Sequence, residues 1–214
     1  MKSKGLFITF EGVEGAGKTT QVNLLYDFIK SKNKECVKVR EPGSTIAGEK
    51  LRMLIIDPTI DVCLKAELLM IQASRAQLTH EIILPALNSN DIVISDRFFD
   101  SSIAYQSISK KDKITADSIK FLNKFASFDR IPDITFILDI DPKIGLNRAM
   151  SDSQNNDKFE LKPLEFHNKV RKIFRSLKKM MPDRKIKIIP GTKSVMEIHN
   201  IIIKTLNKEF EIFQ

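Results

Sequence analysis

Apolar residues follow two rhythms along this chain. Five short, nearly continuous apolar runs have the length and β-branched content of strands: LFITFE (6–11), CVKVR (36–40), DIVISD (91–96), DITFILD (133–139) and KIKIIP (185–190). Between them, apolar positions recur every three or four residues. KTTQVNLLYDFIKS (18–31), KAELLMIQASRAQLTHEIILPAL (65–87) and LEFHNKVRKIFRSLKKM (164–180) are such stretches, and each predicts an amphipathic helix. Strands that alternate with helices predict an α/β fold, a parallel five-stranded sheet with helices on both faces. Right-handed crossovers then gather the C-terminal ends of the strands along one edge, where ligands bind in open α/β sheets. The polar stretch MSDSQNNDK (150–158) breaks the rhythm and reads as an exposed, mobile loop. Leu68 and Leu69, on the long middle helix, are expected in the core.

Composition narrows the class. With 214 residues and 42% hydrophobic content, the chain can bury one sizeable core, so residues 1–214 are expected to form a single domain with a mobile appendage. No apolar run reaches the roughly 18 residues of a membrane span. Glu11 also ends the first apolar run too early for a signal peptide, so the expected compartment is the cytoplasm, with no membrane partner. Cys36 and Cys63 form no CxxC pair and are expected as buried thiols. The formal charge of +8 is spread over KSKNK (30–34), KKDK (110–113) and KVRKIFRSLKK (169–179). These read as solvated faces, with a diffuse attraction for small phosphorylated ligands. With two tyrosines, no tryptophan and no RNA-binding aromatic signature, a nucleic-acid partner is not expected. His80, His167 and His199 fall on predicted helices away from any phosphate motif and are expected to have surface or structural roles.

The chemistry starts after the first strand. Residues 12–19, GVEGAGKT, match G-x-x-x-x-G-K-[ST] between a strand and a helix. Gly12, Gly15 and Gly17 allow backbone angles and close approaches that a Cβ would forbid. The loop's N–H groups, those of Val13, Glu14 and Ala16 included, can then form an anion nest at the positive end of the helix. Lys18 can reach the β- and γ-phosphates of a nucleoside triphosphate, and the Thr19 hydroxyl can ligate Mg²⁺. Asp96 ends the third strand at the same edge, where a carboxylate can bind or orient the magnesium shell.

A phosphate loop alone fits a GTPase switch, an ATP-driven mechanical protein or a kinase of a small acceptor. The chain has no N-K-x-D to read guanine, and it is too short for the partner domains of a mechanical protein. Instead Arg40 and Arg97 directly follow strands at the ligand edge, with Arg52 and Arg75 on the helical segments between them. Forked guanidinium bonds to a second phosphate favour phosphoryl transfer onto a nucleotide.

The same residues carry a resemblance. EGVEGAGKTTQ, REPGST…GEKLR, AELLMIQASRAQL, SDRFFDSSIAYQ and PDITFILDIDPKIGLNRA, in this order, resemble bacterial thymidylate kinases over nearly the whole chain, weakly only beyond about Met150. The resemblance implies a homodimeric P-loop kinase fold with a mobile lid at about 148–162. It also implies transfer of the γ-phosphoryl of ATP to dTMP, giving dTDP for dTTP biosynthesis. The alternatives to it are a kinase of another nucleoside monophosphate or of a deoxynucleoside, and a nucleotide-dependent regulatory switch. Position by position, Glu14 would face the acceptor sugar. Arg40 and Arg97 would grip the dTMP phosphate, with Glu41, Pro42 and Arg52 beside them. Arg75 would meet the thymine edge, and Ser102, Tyr105 and Gln106 would complete the pocket. Lys18, Arg97, Arg148 and Lys158 would serve the transfer itself.

Two positions depart from the family pattern. Ile71 stands where an aromatic residue usually stacks on the base, which forgoes about 1 kcal/mol of stacking. The lid contains no arginine between Met150 and Glu160, and Lys158 takes a place where the family often has one. Lysine brings charge without the bidentate fork, so Arg148 is expected to share the load.

Overall fold

A computed structural model describes residues 5–108, 114–152 and 157–213 of the chain. Among them are five strands, β1 Leu6–Glu11, β2 Cys36–Arg40, β3 Ile92–Asp96, β4 Ile134–Asp139 and β5 Ile186–Pro190, all paired in parallel in the order β2-β3-β1-β4-β5. The expected runs and the strands agree to within one residue at each end. Continuous apolar content marks them because both faces of the sheet are covered. On one face Phe7, Val39 and Val93 meet Leu78, Ile83, Leu87 and Phe98. Ile8, Phe10, Ile94 and Phe136 instead belong to a cluster with Val22, Leu25 and Ile29 of α1 (Lys18–Ser31) and with Ile198, Ile202 and Leu206 of α9 (Val195–Phe210).

The other helices are α2 Ile46–Ile56, α3 Leu64–Leu78, α4 Leu84–Asn88, α5 Phe99–Gln106, α6 Ala116–Ala126, α7 Pro142–Asp152 and α8 Leu164–Met180. The stretch expected as one helix over 65–87 is α3 and α4 joined by a π-helical segment, Thr79–Ile83. The helix starts follow local chemistry: Thr45 and Thr115 accept N–H bonds as N-caps, and Ser194 with Glu197 closes a capping box on α9. The polar break at 150–158 is helical through Asp152 and non-helical at Asp157 and Lys158; its middle, 153–156, lies outside the described residues, as does the basic cluster 110–113.

Two expectations about burial fail. Leu69 is 57% exposed, because α3 turns Glu67, Leu68, Ile71 and Gln72 inward there and leaves Leu69 on the outer face. Cys36 is buried, but Cys63 is exposed in the turn that opens α3. No helix among the described residues is long and apolar enough to cross a membrane.

Candidate active site

The parallel order places the C-terminal ends of β1, β2 and β3 side by side, and one cavity of about 500 Å³ opens over them. Its floor is the loop between β1 and α1. Gly17, the last residue before α1, has φ +88°, and Gly15 has φ +63°, both in the left-handed region that side chains resist. At Gly15 a Cβ would also collide with the carbonyl oxygen of Gly145 on α7. The Lys18 ammonium is 7% exposed and donates to the Val13 carbonyl at 2.8 Å. Burial, with Arg97 nearby, pulls its pKa down to about 8, so an arriving polyphosphate would restore the charge that burial disfavours. Thr19 Oγ1 donates to Asp96 Oδ2 at 2.5 Å, so the two residues expected around the metal stand together.

Three arginines line the cavity with the loop. Arg40, Arg52 and Arg97 all line the cavity, with Glu41 and Pro42 between the first two. Burial and the neighbouring Arg40 lower the Arg52 pKa, a repulsion that an anion between them would relieve. Arg97 has φ +68° and is held by the Gly12 carbonyl at 2.9 Å, by Ser101 and by Glu14 at 3.2 Å. That unusual backbone is pinned from below by Glu11. Its carboxyl accepts from the Phe98 N–H at 2.8 Å and from the Ser101 hydroxyl at 2.6 Å. Burial and the nearby Asp100 push Glu11 up to about 8.

Glu14 is the hub of the site. One carboxylate oxygen accepts from Tyr105 at 2.5 Å and faces Arg97; the other lies 3.0 Å from Nδ1 of His167, a fully buried residue of α8. Burial raises its pKa, but the hydrogen bond to His167 and the charges of Arg97 and Lys18 outweigh this and lower it to about 2. The expectation that no histidine approaches a phosphate motif is therefore overturned. The sequence held no local signal for it, since 153 positions separate the pair.

Several other residues occupy places the sequence did not indicate. Arg75, expected on the base edge, is 1% exposed and does not line the cavity. Its guanidinium bonds Glu41, Gln72, Asn123 and Ser102, leaving no N–H for a ligand. It braces Glu41 and Ser102 from behind. Lys158, expected to serve the transfer, is paired instead with Glu67 at 3.4 Å and does not line the cavity. Its neighbours Asp157, Phe159 and Glu160 do line it, which sequence reasoning missed. Arg148 lies exposed on α7 and is also absent from the cavity wall. Ile71, Ser102, Tyr105 and Gln106 do line the cavity, one apolar side chain with three polar ones.

A phosphate loop facing an arginine-lined acceptor pocket brings two phosphorylated ligands together. Known proteins resemble the chain in sequence and in fold. The family model for thymidylate kinase matches residues 10–202. A thymidylate kinase of Fervidobacterium nodosum is 41% identical over 202 residues, covering 94% of this chain and 98% of the relative. One from Thermosipho africanus is 42% identical over 205 residues, covering 94% and 99%. The crystal structure of thymidylate kinase from Ehrlichia chaffeensis superposes with a TM-score of 0.75 at 34% identity, covering 95% of this chain and 98% of that one. From the phosphate loop through α9, this chain belongs to the thymidylate kinase family.

Proposed function

We propose that the chain phosphorylates dTMP to dTDP with ATP as donor, in the cytoplasm, and that the residues of the cavity divide the work as follows. The loop Gly12–Thr19 holds the donor phosphates, and Lys18 neutralises charge on the group in transfer. Arg40, Arg52 and Arg97 hold the acceptor phosphate, and Ile71, Ser102, Tyr105 and Gln106 surround the base. Glu14 faces the acceptor sugar. Its low pKa keeps it an anion that accepts hydrogen bonds at any physiological pH. No general base is needed, because the acceptor phosphate is already anionic and the reaction depends on alignment and charge. The single observation that carries the reading is the shared cavity: the phosphate-loop lysine, Lys18, and the arginines Arg40, Arg52 and Arg97 line the same space.

Magnesium fits the oxygen donors present. The Thr19 hydroxyl and Asp96 carboxylate form a pair that suits an ion otherwise coordinated by phosphate and water. Bound there, the ion would neutralise charge on the bridging phosphates. Residues 148–162 are proposed as a lid. Asp157, Phe159 and Glu160 already reach the cavity from its far end, and a protease should cut the segment more slowly once both substrates are bound.

A homodimer is supported by apolar surface. Ile46, Met53, Leu54, Leu69, Phe121 and Phe125 are exposed on α2, α3 and α6, and α3 packs against the other two. Light scattering reads this directly, and a monomer at micromolar concentration would reject it.

The test of the whole reading is a panel of nucleoside monophosphates with Mg-ATP. Formation of dTDP at the highest kcat/KM of the panel is expected. A clear preference for another acceptor, or ATP turnover that ignores the acceptor, would overturn it.

A further inference from the structure

Asp100 and Arg184 form an ion pair, and neither residue lines the cavity. Asp100 stands in the first turn of α5 and is fully buried. Arg184 comes from the turn between α8 and β5, 84 positions on, with its side chain 11% exposed. The contact is a fork: Arg184 Nη1 donates to Asp100 Oδ1 at 2.6 Å and Nη2 to Oδ2 at 2.7 Å. Nη2 also donates to Thr135 Oγ1 on β4 at 2.8 Å, and that hydroxyl lies 2.8 Å from Thr9 Oγ1 on β1. The guanidinium carbon sits 4.7 Å from the centre of the Phe99 ring. The first turn of α5 is thus fastened to β4 and to a turn distant in sequence. Ser101 is the next residue along, and it does line the cavity. Its hydroxyl accepts from Arg97 Nη1 at 3.1 Å and donates to Glu11 Oε2 at 2.6 Å.

We propose that the Arg184–Asp100 pair is a positioning device: it fixes the first turn of α5 so that Ser101 holds Arg97 in place for the acceptor phosphate. An arginine side chain has many rotamers, and few of them point at one phosphate. A bond to a fixed hydroxyl removes the others before the ligand arrives, which lowers the ordering cost of binding. Ser101 can do this only if its own turn stays put, and the buried fork supplies that. The rest of α5 is held by separate bonds, Ser102 by Arg75, Tyr105 by Glu14 and Gln106 by Glu67. Loss of the pair should therefore be felt at the acceptor phosphate and not at the base. The inference rests on the dTMP reading and deepens it, since Arg184 becomes a positioning residue for the phosphate end of the acceptor.

The experiment measures, by titration calorimetry, the binding of dTMP and of thymidine, which keeps the base and sugar and lacks the phosphate. The proteins are the wild type, Arg184→Met, Asp100→Asn, Ser101→Ala and the double variant Arg184→Met/Ser101→Ala, each checked by thermal melting. Arg184→Met should weaken dTMP binding by about tenfold or more, the scale of one hydrogen bond to a charged group, and leave thymidine binding almost unchanged. Asp100→Asn and Ser101→Ala should shift dTMP in the same direction. The double variant should bind dTMP little worse than the poorer single one, because both changes remove the same line of support. Equal losses for dTMP and thymidine would overturn the proposal, since the pair would then prop the whole helix. Single losses that multiply in the double variant would also overturn it, because Arg184 would then act without Ser101. If Arg184→Met fails to fold, Asp100→Asn decides by the same comparison of the two ligands. A wild type that binds thymidine as tightly as dTMP would overturn the acceptor-phosphate reading itself. A wild-type preference for dTMP that persists in folded variants overturns only the role of the pair.

Discussion

His167 on α8 and Glu14 in the phosphate loop are hydrogen-bonded inside the protein, with Nδ1 3.0 Å from Oε2. A carboxylate only accepts, so Nδ1 carries the proton; Nε2 is buried with no partner among the described residues. The helix α8 is therefore tied to the carboxylate at the centre of the site.

His167→Leu should leave ATP affinity nearly unchanged and raise the acceptor KM by roughly ten- to a hundredfold, the worth of one hydrogen bond to a charged group. Glu14 sits at about 2 partly because of this bond, so losing it raises the carboxyl pKa. The acid limb of kcat/KM for dTMP should then move to higher pH, and His167→Asn, which keeps a donor near the Nδ1 position, should move it back. An unmoved acid limb in a folded His167→Leu would assign the residue to packing alone.

Lys18 gives the clearest pH dependence. Its free pKa of about 8 must rise when triphosphate binds, so binding takes up a proton above that pH. Below pH 8 the lysine is already charged and ATP affinity should be flat. Above it, affinity should weaken, by about tenfold at pH 9 if no other group intervenes. Lys18→Ala should abolish this dependence, keep the melting temperature and lose roughly a hundredfold or more in turnover. Isothermal titration from pH 7 to 9 reads the first effect, and constant affinity throughout would reject it.

Arg75→Ala should act on stability as well as on the acceptor. It strips a buried ion pair and leaves Glu41 charged and unpaired, at a cost of roughly 3–5 kcal/mol. Burial already raises the Glu41 pKa even with Arg75 beside it. A strongly lowered melting temperature with a raised acceptor KM is expected. An unchanged melting temperature would show that the sealed network contributes little.

Ile71 is 8% exposed and lines the acceptor wall. Ile71→Phe should tighten acceptor binding a few-fold, through about 1 kcal/mol of stacking, and leave the ATP constant alone. A folded variant with wild-type affinity for every monophosphate would place residue 71 behind the wall.

What the sequence disclosed follows from the range of each interaction. Strands buried on both faces wrote themselves as apolar runs, and the phosphate loop as fixed local spacing. Arg40 and Arg97 were legible because strand ends and ligand edge coincide in a parallel sheet. The buried network around Arg75 was not legible, because a motif position does not say which neighbours will take up its N–H groups. The links from Glu14 to His167, Glu67 to Lys158 and Glu11 to Phe98 join segments far apart in sequence. Their registers are set only when helices dock, so no local pattern marks them.

The contact between Gly15 and Gly145 works like a keyway. A Cβ on either residue would strike backbone of the other's segment, so neither position can grow alone. A longer side chain at position 15, basic ones included, would have to move the N-terminal half of α7 out of the way. A basic side chain at position 15 is thereby closed to this chain by two residues that carry no side chain at all. Any cation beyond Lys18 that serves the transfer has to come from another segment, so catalytic charge here is an inheritance of the fold and not of the loop.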